Sequence, residues 1–311
     1  MTELATKLPY ELPDELLVDT SMARRIIGEF LRGHLRATGH ERALLGLSGG
    51  IDSALVAYLV AEAIGAEKLL CVLMPYRTSA PSSRGDAEEV VRRLGCASRV
   101  IDITPIVDGY FESSLAGAAD ADASLLRRGN FAARARMAVL YDQSVTWRGL
   151  VVGTSNKTEA LLGYTTIFGD NASALNPIGD LYKSQVRQLS AQIGVPEALL
   201  RKPPSADLWA GQTDEEEVGL PYAEIDRLLF WMVDRRRSAE ELLELGFAAE
   251  SIARLEGLVA SSEFKRQTSP IAKLGPRTPG VDYLYPRRRP GSRAISDVEE
   301  GKPAGRADSV R

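Results

Sequence analysis

Apolar residues fall along this chain in two kinds of run. Short blocks bounded by Gly, Pro or polar residues predict buried strands: Ala43-Leu44-Leu45, Leu69-Leu70-Cys71-Val72-Leu73-Met74, Arg99-Val100-Ile101-Asp102-Ile103 and Leu150-Val151-Val152-Gly153-Thr154. Helical spacing fills the gaps. Asp19, Thr20 and Ser21 offer N-caps for a helix through about Thr38, with Ile27, Leu31 and Leu35 on one face. Further helices are predicted after Ser53 through Ala63, over 83–94 closing at Gly95, over 130–147, and from Lys183 to Ile193 with Gly194 as the stop. Three more are predicted over 222–233, 239–245 and 248–260. Strands alternating with helices predict an α/β fold: a doubly wound parallel sheet with flanking helices and a C-terminal helical segment. In such sheets ligands bind beyond the strand carboxyl ends, at a topological switch point. The segment around Ser48 and the Gly153-Thr154 turn both follow strands, so the two are predicted to meet there.

Composition narrows the class. A chain of 311 residues, 44% hydrophobic and 26% charged, has room for one large core, or one core plus a smaller helical lobe. A net charge of −4 argues against a nucleic-acid-binding surface and requires any anionic substrate to be met by local Lys and Arg. The two cysteines cannot build a disulfide framework, and Cys71 falls inside a strand-like run. No segment reaches the roughly 18 apolar residues of a membrane span, and the N-terminus lacks a signal-type apolar region, so a cytoplasmic location without membrane attachment is expected. Residues 1–286 are read as one domain. Residues 287–311 form a polar tail rich in Pro and Gly that is expected to be disordered, and Arg287-Arg288-Arg289 reads as a solvated charge run.

Chemistry concentrates first at Gly46-Leu47-Ser48-Gly49-Gly50-Ile51-Asp52-Ser53, between a strand and a helix. Small residues there let backbone N–H groups approach an anion, and the helix N-terminus adds its positive dipole end. The Lys of a Walker loop is missing; Asp52 stands in the loop instead, which suits a polyphosphate that arrives with Mg²⁺. Further along come Gly153-Thr154-Ser155-Asn156-Lys157-Thr158-Glu159, Phe168-Gly169-Asp170, and Asn176 to Lys183. Last is the stretch from Arg201 through Ser205 and Asp207 to Glu216. Glu159 falls in the first turn of a helix, where a carboxylate caps the helix or serves a site; both readings stand.

The octet resembles the signature of the N-type ATP pyrophosphatases. The motifs as an ordered set, from about residue 20 to 270, resemble the NAD synthetase family. The resemblance implies an adenine nucleotide alpha-hydrolase-like fold and conversion of deamido-NAD to NAD⁺ through an acyl-adenylate, releasing AMP and pyrophosphate. It implies ATP as co-substrate, Mg²⁺ as metal, ammonia as nitrogen donor and a homodimer. On the family's pattern, Gly46, Leu47, Ser48, Gly49, Gly50, Ile51, Asp52 and Ser53 form the ATP loop. Thr154, Lys183 and Ser205 are further ATP contacts, with Arg77 on the adenine side. Asp52 and Glu159 match the metal-binding carboxylates. Asp52, Asp170 and Lys183 are the candidate catalytic set, Asp170 serving a second metal or guiding ammonium. Asn130, Arg134 and Arg136, in a helix that also contains Met137, and Lys265 are candidate dinucleotide contacts. Asn130 and Arg134 share one face of that helix.

Three positions depart from the ammonia-using pattern. Ile167 stands where a Lys is expected, Ala174 where an acidic residue is expected, and Phe264 where a His is expected. ATP chemistry is therefore better supported than the grip on the dinucleotide. The chain begins about 45 residues before the loop, which leaves no space upstream for an amidase domain, so free ammonia is expected; a separate glutaminase stays open as its source. Two rival readings remain: a tRNA-modifying adenylating enzyme of the same superfamily, disfavoured by the acidic charge and the strand-bound Cys71, and a nucleotide-binding homologue without catalysis.

Overall fold

The structure, a computed structural model, describes residues 12–113, 121–203, 218–279 and 281–282. The chain divides into two compact units, Met1–Arg266 and Gln267–Arg311, and the sheet with its helices lies in the first. The expected boundary at 286 and the tail beyond it lie outside the described residues.

Four parallel strands form the sheet: β1 Arg42–Gly46, β2 Leu69–Leu73, β3 Ala97–Val100 and β4 Gly149–Val151, in the order β3-β2-β1-β4. Successive crossovers run first to one side of β1 and then, for β4, to the other. The switch point predicted from the sequence therefore lies between β1 and β4. The helices are α1 Thr20–Ala37, α2 Ile51–Ile64, α3 Pro81–Leu94, α4 Thr104–Glu112, α5 Ala121–Trp147, α6 Lys157–Leu162, α7 Lys183–Ile193, α8 Glu197–Arg201, α9 Tyr222–Leu229, α10 Ala239–Glu244 and α11 Ala249–Ser261.

Period-two alternation sorts the strand side chains onto two faces. Ala43, Leu45, Leu69, Cys71 and Leu73 point into one core with α2 and the apolar stripes of α1 and α7. Leu44, Leu70, Val72 and Val151 point into the other, against Val107 of α4 and Ala132 and Ala135 of α5. Every residue of β2 is buried, as expected of a strand covered on both faces. α2 is buried on nearly all sides, so its first turn is held rigidly behind the loop that precedes it. A third cluster, built on Leu162, Tyr182, Ile225, Leu228, Leu229 and Leu255, packs α9 to α11 beside α6 and α7.

The expectations differ from the structure mainly at strand ends. β3 spans Ala97–Val100 rather than Arg99–Ile103. Ile101 and Ile103 still donate to the carbonyls of Leu73 and Pro75, but Asp102 Oδ1 accepts the Thr104 N–H at 2.8 Å and starts α4, which the apolar pattern did not announce. α5 begins at Ala121, nine residues before the expected start. The helix expected over 222–233 leaves α geometry at Phe230 and continues to Asp234 as a π-turn. Cys71 and Cys96 are both buried free thiols, their sulfurs 3.7 Å apart. Among the described residues no helix is long and apolar enough to cross a membrane.

Truncating Leu70, which is 1% exposed, to Ala is expected to cost roughly 2–5 kcal/mol in urea unfolding, because the sheet cannot collapse onto the cavity. Leu243→Ala on the surface, where the side chain is 49% exposed, is expected to stay within about 0.5 kcal/mol of wild type.

Candidate active site

The loop after β1 is shaped by glycine and closed by hydroxyls. Gly49 adopts φ 79°, and a Cβ there would lie 2.0 Å from the carbonyl oxygen of Ser83, so no larger residue fits. Ser53 Oγ donates to the Gly50 carbonyl at 3.1 Å and accepts the Ser48 N–H at 3.2 Å; Ser48 Oγ accepts the Gly50 N–H at 3.2 Å. Gly50 then starts α2, whose first N–H groups have no intrahelical partner and face outward with the dipole's positive end. Lys202 fastens the loop from outside. Its ammonium donates to the Gly49 carbonyl, Ser83 Oγ and Asp86 Oδ2 at 3.2, 3.2 and 2.7 Å.

Beside the loop, two carboxylates from the helices that follow β1 and β4 share one cation. Lys183 Nζ lies 2.6 Å from Asp52 Oδ2 and 3.2 Å from Glu159 Oε1. The Lys183 side chain is 3% exposed and each carboxylate 16%. Asn156 ties the same two acids together: Nδ2 donates to Asp52 Oδ1 at 2.9 Å and Oδ1 accepts the Glu159 N–H at 2.9 Å. Glu159 Oε2 in turn accepts the Asn156 N–H at 3.2 Å and completes a capping box. One Glu159 oxygen thus caps α6 while the other meets Lys183. Burial pushes its carboxyl up to about 8; the neighbouring Asp52 charge adds to the rise and Lys183 opposes it. A cation arriving at this cluster would have to displace the proton that burial keeps on Glu159.

These groups open on a cleft of about 770 Å³ at the switch point. Of the residues picked out from the sequence, Gly46, Leu47, Ser48, Gly49, Gly50, Ile51, Asp52, Ser53, Thr154, Glu159, Asp170 and Lys183 line it, as do Asn130, Arg136, Met137 and Lys265. Arg136 Nε donates to the Met74 carbonyl at 3.1 Å. Lys265 holds the carbonyls of Gly163 and Thr165 at 2.7 and 2.9 Å, and thereby the end of α6. Asp170 Oδ1 accepts the Thr166 N–H at 2.6 Å, and Thr166 Oγ1 donates to Asn130 Oδ1 at 2.7 Å. That turn is strained: Phe168 sits at φ 57° with its ring largely in solvent.

Two candidates lie elsewhere. Arg77 is not among the cleft residues; its guanidinium pairs with Asp108 at 3.3 Å and lies over the Tyr76 ring. Arg134 lines a second, smaller cavity of about 210 Å³ with Asn130, Tyr110, Phe111, Arg127 and Phe131, and its Nε donates to the Ile167 carbonyl at 3.3 Å. Ser205 lies outside the described residues. At the three departures, Ile167 offers its carbonyl to Arg134, Ala174 donates its N–H to Val151, and Phe264 is exposed. Sequence reasoning missed Asn156 and Lys202 as site residues. The N-x-x-E spacing of a capping box signals the first, whereas the second is visible only through its partners.

A glycine- and serine-rich loop at the switch point of a parallel sheet, beside a carboxylate pair around one ammonium, places the chain among α/β proteins with a cleft at the strand carboxyl ends. Comparison with known proteins makes the class particular. A family model described as NAD synthase matches residues 23–269. The NH(3)-dependent NAD(+) synthetase of Trichlorobacter lovleyi is 51% identical over 272 residues, spanning 88% of this chain and 97% of its own. Among solved structures, an NMN synthetase from Francisella tularensis superposes with TM-score 0.73 at 30% identity, covering 82% of this chain and 99% of its own. An NH3-dependent NAD synthetase from Campylobacter jejuni, in complex with nitrate, superposes with TM-score 0.69 at 32% identity, covering 83% and 100%. The chain belongs to the NAD synthase family.

Two outcomes are expected of this geometry. Gly49→Ala is expected to abolish measurable ATP binding in calorimetry, because its Cβ and the Ser83 carbonyl cannot share the space. The raised Glu159 carboxyl sets a pH slope. Between about 4.5 and 8 the folded state keeps a proton that the unfolded chain has released, so this residue's contribution to stability falls as pH rises through that window. Urea titrations across the window are expected to show a shallower fall for Glu159→Gln; an unchanged slope assigns it to other groups.

Proposed function

We propose that this chain is an ammonia-dependent NAD synthetase, a ligase that amidates deamido-NAD with ATP and releases AMP and pyrophosphate. The observation that carries the reading is the convergence of Asp52 and Glu159 on Lys183, beside the α2 N-terminus, in a cleft roomy enough for a nucleotide. A carboxylate lacks a good leaving group, and adenylation supplies one. The nicotinate oxygen attacks the α-phosphorus and expels pyrophosphate; ammonia then attacks the carbonyl carbon and AMP departs. The protein's task is to place the partners and to neutralise the phosphate charge.

In this reading Ser48, Gly49, Gly50 and Ser53 cradle the outer phosphates. Lys183 serves as a point charge toward them, and Thr154 and Ser205 add contacts to the nucleotide. Asp52 and Glu159 fit a hard divalent cation, since both offer oxygen ligands at the cleft. Mg²⁺ takes one or two carboxylates and completes its shell with phosphate oxygens and water. Bound there, Mg²⁺ would draw charge off the departing pyrophosphate. For the dinucleotide, support comes from Asn130, which lines both cavities, and from the Tyr110–Phe131 stack at 4.4 Å with Arg127 and Arg134 beside it. Arg136, Asp170 and Lys265 contribute at the cleft wall. A homodimer is supported by exposed apolar side chains on α4 and α5: Ile106, Tyr110, Leu125, Leu126, Tyr141 and Val145. We place the enzyme in the cytoplasm, where its two free thiols stay reduced.

Purified chain supplied with deamido-NAD, ATP and Mg²⁺ is expected to form NAD⁺, AMP and pyrophosphate with ammonium. It is expected to form none with glutamine alone. Robust turnover on glutamine without a partner, or a preference for the nicotinate mononucleotide over the dinucleotide, would overturn the assignment. Asp52→Asn is expected to lower kcat by about a hundredfold or more, and to lower Tm as well because it takes one carboxylate away from the buried Lys183 ammonium. Full activity in that variant removes its proposed role.

A further inference from the structure

Asp226 is a carboxylate with no exposed surface, in the middle of α9, and it does not line the cleft. Oδ1 accepts the Thr158 hydroxyl at 2.6 Å; Oδ2 accepts both the backbone N–H and the hydroxyl of Ser184, at 2.7 and 2.6 Å. The Thr158 oxygen also accepts the Lys183 N–H at 3.0 Å. Thr158 and Ser184 are themselves fully buried. One acid thus cross-links the first turns of α6 and α7 through the residues adjoining Glu159 and Lys183. Tyr222, one helical turn before Asp226, lies under the Lys183 ammonium, 5.4 Å from its ring centre.

Burying a carboxylate is costly, and an apolar residue would fill the same space without that cost. The acid has a use where two helix termini must be fixed to within hydrogen-bond tolerance, and those termini carry the two groups that meet Asp52. We propose that Asp226, acting through Thr158 and Ser184, is a positioning residue of this ligase: it sets the separation of Glu159 and Lys183 and hence the cluster's capacity to take a divalent cation with the nucleotide. The proposal rests on the reading of the cleft as the ATP-activating site.

The test uses the full chain and three variants: Thr158→Val, which is isosteric and lacks the hydroxyl, Thr158→Ser, which keeps it, and Asp226→Asn. The readouts are the Mg²⁺ concentration for half-maximal binding of α,β-methylene-ATP by calorimetry, the split between kcat and the deamido-NAD KM, and Tm. Thr158→Val is expected to raise the Mg²⁺ requirement about tenfold and to lower kcat by a similar factor, leaving KM within about twofold. Thr158→Ser is expected to recover most of both, and Asp226→Asn to shift them further in the same direction. A Thr158→Val protein of lowered Tm whose Mg²⁺ requirement and kcat per folded molecule equal wild type would overturn the proposal. If Asp226→Asn does not fold, the Thr158 pair decides. Failure of the underlying reading looks different, since wild type itself would then bind no ATP analogue.

Discussion

One buried ammonium held between two carboxylates organises this protein. Lys183 draws together Asp52, from the helix that follows β1, and Glu159, from the helix that follows β4, and those two strands are neighbours in the sheet. Interactions of this kind are strong only where water is scarce, and here the lysine is nearly inaccessible while the acids keep a narrow opening to the cleft. Burial raises the Glu159 carboxyl, and the Asp52 charge adds to the rise while Lys183 opposes it.

The rest of the fold serves to keep that meeting place fixed. α2 is gripped on nearly every side, so its N-terminus and Asp52 do not drift. Gly49 lets the loop press against the Ser83 carbonyl, and Lys202 pins it there. Asn156 spans the two acids, and Asp226 anchors the helix starts behind them. On the cleft wall the Thr166–Asp170 turn is strained and exposes Phe168, and it is joined to α5 through Asn130 and Arg134.

Much of this was legible in the chain itself. The apolar blocks marked all four strands, and Gly95 and Gly194 marked helix ends that the structure places at the same residues. The octet and Glu159 meet because both follow parallel strands that are neighbours in the sheet, β1 and β4. What the pattern did not show has a physical cause in each case. α4 starts at an Asp–Thr hydrogen bond inside an apolar stretch, so periodicity alone extends β3 too far. Asn156 carries a local capping signal, but its bond to Asp52, like the bonds of Lys202 to Gly49, Ser83 and Asp86, spans more than 100 residues, which no local pattern shows. Arg77, placed on the adenine side by family pattern, pairs with Asp108 and is not among the residues that line the cleft.

The central claim is that this site hands AMP to a pyridine carboxylate, and oxygen labelling tests it most directly. With deamido-NAD carrying ¹⁸O in both carboxylate oxygens, AMP is predicted to emerge heavier by one ¹⁸O, with NAD⁺ retaining the other. Unlabelled AMP, or ADP as the nucleotide product, would contradict it.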